Sequence, residues 1–214
     1  NNHLLESNNN LLQHFAGTTG MKTGYVCASG LNIVATVNRQ GREMIAHLRA
    51  IPDKIQWVLD NQEDVIRCSK DPKYLNAQSA LYLGRSYNFP SALEGALKLK
   101  EISYIHAEGY GAGEMKHGPI ALVTDELPVV CVATKGDTYD KMVSNIQEIR
   151  ARSGIVLSVA TEGDEAIKNH SADVLYIPEC YEPFSPIVVA VPLQLFAYYV
   201  ATNRGCAVDQ PRNL

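Results

Sequence analysis

Short apolar runs alternate with longer amphipathic segments through most of the chain after residue 79. The runs are rich in Val, Ile, Leu and Ala, and they lie at 80–83, 129–133, 155–160 and 174–177. Apolar residues at helical spacing occupy the segments at about 90–105, 138–152, 165–170 and 186–203. Continuous apolar strands that alternate with helices are typical of a parallel sheet covered on both faces. The pattern predicts one doubly wound α/β domain.

The part of the chain before this domain divides into two stretches. From about 40 to 76 the apolar positions recur at helical spacing, and Pro52 can open a helix at its first turn. Residues 1–38 are rich in Asn, Gly and Thr, and their glycines interrupt any regular pattern. We therefore expect an unassigned segment at 1–38, a helical linker at 39–78, and the α/β domain with a carboxy-terminal tail at 79–214.

The first helix of the domain carries apolar residues that we expect to face the core. Leu93, Ala96, Leu97 and Ile102 continue the helical period after Pro90. Leu97 is accordingly expected to be a core residue.

Composition and charge exclude several classes of protein. The chain has 214 residues, 46% of them hydrophobic and 20% charged, which is typical of a globular protein. The net charge of -4, with scattered Lys and Arg, argues against nucleic acid as a partner. The longest apolar stretch, 186–193, is interrupted by prolines and falls short of the roughly 20 residues that span a bilayer, so no membrane helix is expected.

The amino-terminal and cysteine patterns bear on location. Residues 1–10 have neither a basic start nor an apolar centre, so no signal peptide is expected. The five cysteines are odd in number and form no Cys-x-x-Cys pair, which favours free thiols in a reducing cytoplasm.

The loop after the first strand is a candidate binding site, because ligands of open parallel sheets bind beyond the carboxyl ends of the strands. It runs from Gly84 to Pro90, and Arg85 can make a charge-assisted contact with a carboxylate or phosphate. The alternative is that Gly84 only forms a turn and that Arg85 ties the domain to a neighbouring element.

Three charged residues follow at i, i+4 and i+7 on the next helix: Glu94, Lys98 and Glu101. They share one helical stripe, where a carboxylate and an ammonium side by side can carry a proton and stabilise an oxyanion in the enolisation of a sugar. The alternative is an exposed, salt-bridged face.

A glycine-rich segment at 107–119 reads as a loop at a functional rim, with Gly118 and Pro119 as breakers. His117 can exchange a proton near neutral pH, although a loop histidine is also commonly structural or solvated. His106, between Ile105 and Ala107, is expected to be a core or helix-end histidine with a satisfied ring. The polar stretch at 208–214 is expected to be a tail that packs on or beside the domain.

Four ordered blocks of sequence resemble a known family. Residues 93–102, 113–119, 191–195 and 209–214 are similar to the glucosamine-6-phosphate synthase family, also called glutamine:fructose-6-phosphate aminotransferase. The similarity runs from about residue 42 to residue 214, and 51–55 resembles the helical link between two sugar isomerase (SIS) subdomains. The resemblance implies a flavodoxin-like SIS fold, in which this chain matches the carboxy-terminal subdomain.

The resemblance also implies an activity and roles for individual residues. The family condenses ammonia from glutamine with fructose 6-phosphate and isomerises the product to glucosamine 6-phosphate, without a metal or organic cofactor. Glu101 matches the carboxylate that moves a proton between C1 and C2, and Lys98 matches its neighbouring lysine. His117 matches a histidine that assists ring opening in the adjacent subunit, which implies a homodimer. Arg85 and Glu94 are expected to contact substrate.

Parts of the family pattern have no counterpart between residues 1 and 214. The glutaminase domain and the first SIS subdomain, with its phosphate-binding loops, lie outside the similarity, and residues 1–38 are either irregular or a remnant of that subdomain. The family's lysine two positions beyond Leu214 is also absent. We therefore expect that the isolated chain cannot use glutamine and needs the phosphate-binding part from elsewhere. The alternative is a non-catalytic SIS module that binds a sugar phosphate or a partner subunit.

Overall fold

The computed structural model of the chain describes residues 18–26, 30–37 and 41–212. Predictions for the other residues, which include those for 1–10, Cys27, Asn213 and Leu214, lie outside the described part. The chain divides into two compact units, 1–49 and 50–214, and each is described by itself.

The first unit contains two strands in a stretch for which the sequence predicted no element. Strand β1 (Thr18–Val26) pairs antiparallel with β2 (Gly30–Val37), and helix α1 (Gly41–Arg49) follows. The second strand is rich in β-branched residues, which favour extended backbone despite the surrounding glycines.

The second unit opens with the predicted helical segment. Helix α2 (Ile51–Asp60) carries Pro52 in its first turn, as the sequence indicates, and α3 (Glu63–Lys70) and α4 (Pro72–Leu75) follow. The helical segment ahead of the α/β domain is thereby confirmed.

The centre of this unit is a parallel sheet with the strand order β4-β3-β5-β6-β7. The strands are β3 (Ser79–Gly84), β4 (His106–Gly111), β5 (Pro128–Ala133), β6 (Ile155–Thr161) and β7 (Asp173–Ile177). The parallel sheet with flanking helices is confirmed. Strand β4 corrects the interpretation of its segment as a loop, since its glycines allow close packing: a Cβ on Gly109 would lie 2.9 Å from the Leu93 Cα.

Helices cover both faces of the sheet. They are α5 (Asn88–Ser103), α6 (Tyr139–Arg150) and α7 (Ser185–Asn203). Single 3₁₀ turns fill several connections, at Ala112–His117, Pro119–Leu122, Ala166–Asn169 and Glu182–Phe184.

Alternation along the strands gives the unit two apolar layers. Tyr82 and Val130 face a cluster that includes buried residues of α2, α3, α5 and α7. Their neighbours Leu81 and Val129 face a second cluster, formed with α6 and the segment after β4. The unit is therefore a three-layer sandwich.

Helix α7 is the most apolar element of the unit. Within the described residues, the segment Glu182–Asn203 is long and apolar enough to cross a membrane by length and composition, and half of it is buried inside the protein. Its buried side chains join the first cluster, among them Val188, Leu193, Phe196 and Val200. Burial in this core explains the composition.

The orientation of α5 corrects the sequence prediction for Leu97. Its side chain is 40% exposed, whereas Leu99 is 2% exposed and packs in the first cluster. Small residues at Ala92 and Ala96 form the buried stripe together with Leu99, so the helix turns the larger Leu93 and Leu97 outward. Apolar spacing alone could not distinguish these two faces.

A buried carboxylate joins the helical segment to the sheet. Asp173, at the start of β7, has a side chain that is only 6% exposed. Its carboxylate contacts Arg67 Nη1 at 2.6 Å and Lys73 Nζ at 2.7 Å, and it accepts a hydrogen bond from Tyr74 Oη at 2.8 Å. The charge is thus fully paired inside the structure, which is the condition for burying it.

We expect Leu99→Ala to lower the free energy of unfolding by about 3 kcal/mol, because it removes buried volume from the core. Leu97→Ala, on the same helix and with the same change in size, should cost much less since its side chain is partly solvated. Urea unfolding of both variants measures the difference. Equal losses would contradict the assigned orientation of α5.

We expect Asp173→Asn to lower the free energy of unfolding by about 3 kcal/mol at neutral pH, because it leaves two cations without their buried partner. Asp125→Asn, in an exposed turn, is the matched control.

The effect of Asp173→Asn should depend on pH. Burial alone raises the pKa of Asp173, but hydrogen bonds from Lys73, Arg67 and Tyr74 outweigh it and hold the pKa below its ordinary value. A carboxyl with a lowered folded-state pKa stabilises fully above its unfolded pKa of about 3.9, and this stabilisation is lost as pH falls through the folded-state pKa. Urea unfolding from about pH 6 to about pH 2 should show the two proteins converging. A pH-independent difference would show that the charge has no role.

Candidate active site

The three charged residues of the α5 stripe form one connected row. Lys98 Nζ lies 2.7 Å from Glu101 Oε2 and 3.9 Å from Glu94 Oε1. The side chains are 18% exposed at Glu94, 15% at Lys98 and 27% at Glu101. The row is therefore too sheltered to be the exposed salt-bridged face that spacing also allowed.

The row lies where α5 packs against α7. Gln194 of α7 donates a hydrogen bond from Nε2 to Glu94 Oε1 at 3.3 Å. Gly95 permits this close packing, because a Cβ there would lie 2.8 Å from the Tyr82 ring and 3.0 Å from Leu193 Cδ1. The two helices thereby enclose one side of the charged row.

Exposed apolar side chains lie on the outer faces of the same two helices. They are Phe89, Leu93 and Leu97 on α5 and Ile187 and Tyr198 on α7, and each is between 37% and 45% exposed. We call these five residues the apolar rim. Large apolar groups exposed beside a polar row are typical of an interaction surface or a ligand site.

The row has groups that can transfer a proton. A carboxylate can accept a proton and return it, and the ammonium 2.7 Å away can stabilise negative charge that develops on an adjacent oxygen. Within the described part of the chain, no group of three or more His, Cys, Asp or Glu is arranged to hold a metal ion.

Arg85 contacts a different helix. It follows β3, and both its Nε and Nη2 donate to Asn145 Oδ1 of α6, at 3.0 and 2.9 Å. Glu101 lies at the opposite end of α5, roughly 20 Å away along the helix axis at 1.5 Å per residue. The observed contact is the one expected if Arg85 ties the loop to a neighbouring element.

The crevice at the carboxyl ends of β3 and β5 is filled by the protein itself. The strand order reverses at this point, where doubly wound sheets commonly bind ligands. Asn88 is buried here; it donates to Thr134 Oγ1 at 2.8 Å and accepts from Ser185 Oγ at 3.3 Å. Gly84 brings the start of α5 close, since a Cβ there would lie 2.1 Å from the Asn88 carbonyl oxygen.

His117 lies on the 3₁₀ turn after β4 and points to solvent. Its side chain is 72% exposed, and Nδ1 lies 2.7 Å from Glu114 Oε2. The neighbouring Lys116 pairs with Glu148 of α6 at 2.8 Å. No contact joins His117 to Glu94, Lys98 or Glu101 among the described residues.

The expectation for His106 was wrong. Its side chain is 67% exposed on the edge strand β4, and Nε2 lies 3.4 Å from Glu108 Oε1. Glu108 also accepts a hydrogen bond from Tyr110, which raises the pKa of that phenol. These alternate side chains lie on the face of β4 opposite to Ala107 and Gly109, which pack toward α5.

This fold has a family counterpart. The SIS domain family model matches residues 73–204, which is more than half of the chain. The chain belongs to the SIS domain family.

Curated relatives of this SIS domain are longer proteins. It is 50% identical over 191 residues to a glutamine–fructose-6-phosphate aminotransferase (isomerizing) of Chlorobaculum tepidum, and covers 31% of that protein and 89% of this chain. A Thermus thermophilus protein of the same name is 53% identical over 175 residues, which are 82% of this chain and 29% of that protein. The chain thus spans about a third of the relatives it matches.

Solved structures agree with this assignment. The carboxy-terminal domain of glucosamine-fructose-6-phosphate aminotransferase from Francisella tularensis superposes with a TM-score of 0.74 and 36% identity, over 81% of this chain and 48% of that chain. Tagatose-6-phosphate ketose/aldose isomerase from Escherichia coli has a TM-score of 0.66 at 20% identity, over 76% of this chain and 45% of that one, and shares the fold.

The sequence did not predict two contacts of this domain, namely that of Gln194 with Glu94 and that of the tail with the end of α5. Gln194 was noticed only within a matching block, because nothing local indicates its contact with Glu94. The polar tail was expected to pack on or beside the domain, and its site is the end of α5. Arg212 donates its backbone N–H to Tyr104 Oη at 3.0 Å, and its guanidinium lies 4.0 Å from that ring.

Proposed function

We propose that this SIS domain forms part of an isomerising glutamine:fructose-6-phosphate aminotransferase and carries out the sugar isomerisation that yields glucosamine 6-phosphate. The observation that carries the proposal is the sheltered Lys98–Glu101 pair at 2.7 Å. The comparisons support the proposal, because about half of the aligned residues are identical to those of relatives with that name. The complete reaction belongs to a longer protein, since this chain spans a third of those relatives.

In this proposal Glu101 is the proton carrier. Its carboxylate removes a proton from C1 of the sugar, and the C–H electron pair forms a double bond to C2 as charge moves onto the heteroatom at C2. The same carboxyl group then returns the proton to C2, while the electron pair of the O1–H bond forms the C1 carbonyl and the O1 proton passes to the heteroatom at C2. The ketose skeleton is thereby converted to the aldose skeleton. One group can serve both steps because the two carbons are adjacent.

Lys98 and Glu94 complete the row. The Lys98 ammonium lies beside Glu101 and stabilises negative charge that develops on sugar oxygens during proton transfer. We propose that Glu94 contacts a sugar hydroxyl through the oxygen that Gln194 leaves free. Arg85 was also predicted to bind substrate, but its two hydrogen bonds to Asn145 lend no support to that role.

We propose that His117 acts in the site of a second subunit of a homodimer. Its exposed position and its lack of contact with the row support a role outside its own copy, as the family resemblance implies. The apolar rim supports burial of the α5–α7 surface in the assembled enzyme. The glutaminase domain and the phosphate-binding subdomain are the further partners that the proposal requires.

A cytoplasmic location is part of the same proposal. Cys68 and Cys131 are buried free thiols, and burial raises the pKa of Cys68 to about 12. Inert, protonated thiols of this kind suit a reducing compartment.

The second candidate is a non-catalytic SIS module that binds a sugar phosphate or a partner subunit. The filled crevice between β3 and β5 favours the form that binds a partner subunit, because Asn88 and Thr134 occupy the position where such sheets commonly bind phosphates. The two candidates differ in whether Glu101 is needed for turnover.

We expect Glu101→Gln to lower isomerisation about a thousandfold, because it removes only the proton acceptor. The assay follows glucosamine 6-phosphate formation in a protein in which this chain is joined to the amino-terminal parts of its relatives and to their residues that follow position 214. Glu126→Gln, on an exposed turn, is the control, and the melting temperatures of both variants should match the parent. Undiminished turnover would remove Glu101 from the mechanism and favour the second candidate.

We expect Glu101→Gln and His117→Ala subunits to complement one another when they are mixed. In a mixed dimer one site combines Glu101 of the second variant with His117 of the first, so random mixing restores about one quarter of the activity. Mixing either variant with the double variant is the control and should restore none. If His117 acts within its own subunit, all of these mixtures stay inactive.

A further inference from the structure

We propose that Gln194 is a positioning residue that holds Glu94 and thereby directs Lys98 to Glu101. The catalytic importance of this role rests on the proposed function. The hydrogen-bond arrangement itself can be measured without any turnover. Gln194 is outside the charged row itself, and its one role here is to decide which of two carboxylates the lysine pairs with.

The lysine has two competing partners on its own helix. Glu94 and Glu101 stand one turn before and one turn after Lys98, at i−4 and i+3, and both spacings allow an ion pair. The distances are nevertheless unequal, 2.7 Å to Glu101 and 3.9 Å to Glu94. Helical spacing alone gives no reason for this preference.

The asymmetry coincides with a difference in the surroundings of the two carboxylates. Glu94 Oε1 accepts the Gln194 amide, whereas Glu101 receives its short hydrogen bond from Lys98. A sheltered carboxylate without a donor is costly, so each of the two needs one. Gln194 supplies a donor to Glu94 and leaves the ammonium to Glu101.

A neutral amide suits this task better than a second cation. The row carries two carboxylates and one ammonium, and an amide adds a hydrogen bond without changing that charge. Lysine or arginine at position 194 would attract both carboxylates and compete with Lys98. The amide separates the roles of the two acids while it keeps the site's net negative charge.

The fold fixes Gln194 in place. Its neighbour Leu193 is fully buried against Gly95, so the backbone of α7 at this position is held close to α5. From this backbone position the Gln194 side chain reaches Glu94 without any movement of α7. Leu195, the next residue, is partly buried in the first apolar cluster and has no hydrogen bond to the row, which makes it a matched control position.

Loss of the amide should transfer Lys98 toward Glu94. Without a donor from α7, Glu94 Oε1 is satisfied most simply by the ammonium 3.9 Å away. Glu101 would then lose the cation beside it. In the proposed reaction this separates the proton carrier from the group that stabilises charge.

The test is an NMR measurement on this chain, uniformly labelled with ¹³C and ¹⁵N. The coupling across the hydrogen bond from Lys98 Nζ to the carboxyl carbon of Glu101 reports their pairing and requires no catalysis. We expect it in the parent and in Leu195→Met, and expect its loss in Gln194→Met, which keeps side-chain length but has no amide donor. Gln194→Asn, with an amide one carbon too short, should lose it too if Gln194→Met fails to fold.

A double variant tests whether the effect passes through Glu94. In Gln194→Met/Glu94→Gln the competing charge is gone, so Lys98 should return to Glu101 and the coupling should reappear. Retention of the coupling in Gln194→Met, its absence from the parent, or failure of the double variant to restore it would each overturn the inference. These results are separable from the proposed function, which fails only if Glu101→Gln retains turnover.

Discussion

The close packing of α5 on α7 is the constraint on which the candidate site depends. Gly95 has no side chain, so the Tyr82 ring and Leu193 occupy the space a Cβ would need. The approach buries one face of each helix and leaves the charged row sheltered beside the seam, where a single amide from α7 reaches Glu94. A wider separation would solvate the row and weaken each of its electrostatic interactions. The same contact between α5 and α7 thus forms part of the core and shelters the candidate site.

The same helix explains why the chemistry lies away from the usual position in doubly wound sheets. Asn88, at the start of α5, fills the crevice between β3 and β5 with a hydrogen-bonded side chain. The reactive groups occur two to four turns further along, toward the amino-terminal edge of the sheet. Arg85, at the carboxyl edge, stabilises the loop through Asn145. Strand order therefore locates a filled crevice, and helix periodicity locates the candidate site.

Sequence patterns predicted the features that depend on local periodicity. The continuous apolar runs identified β3, β5, β6 and β7, and the i, i+4, i+7 spacing placed Lys98 beside Glu101. The sequence patterns did not predict the features that depend on packing between elements. Strand β4 is glycine-rich because α5 packs on it at Gly109, and Leu97 is outward because Ala96 and Leu99 face the core. The contact of Gln194 with Glu94 joins positions 100 residues apart, which no local pattern records.

The charged row and His117 divide the proposed chemistry between two surfaces. The row is sheltered between helices, whereas His117 is 72% exposed on the segment after the edge strand. The turn that carries His117 is joined to α6 by the Lys116–Glu148 ion pair, and its Met115 is buried. The exposure of His117 thus supports the proposal of a site completed by a second copy, with the apolar rim as a surface for assembly.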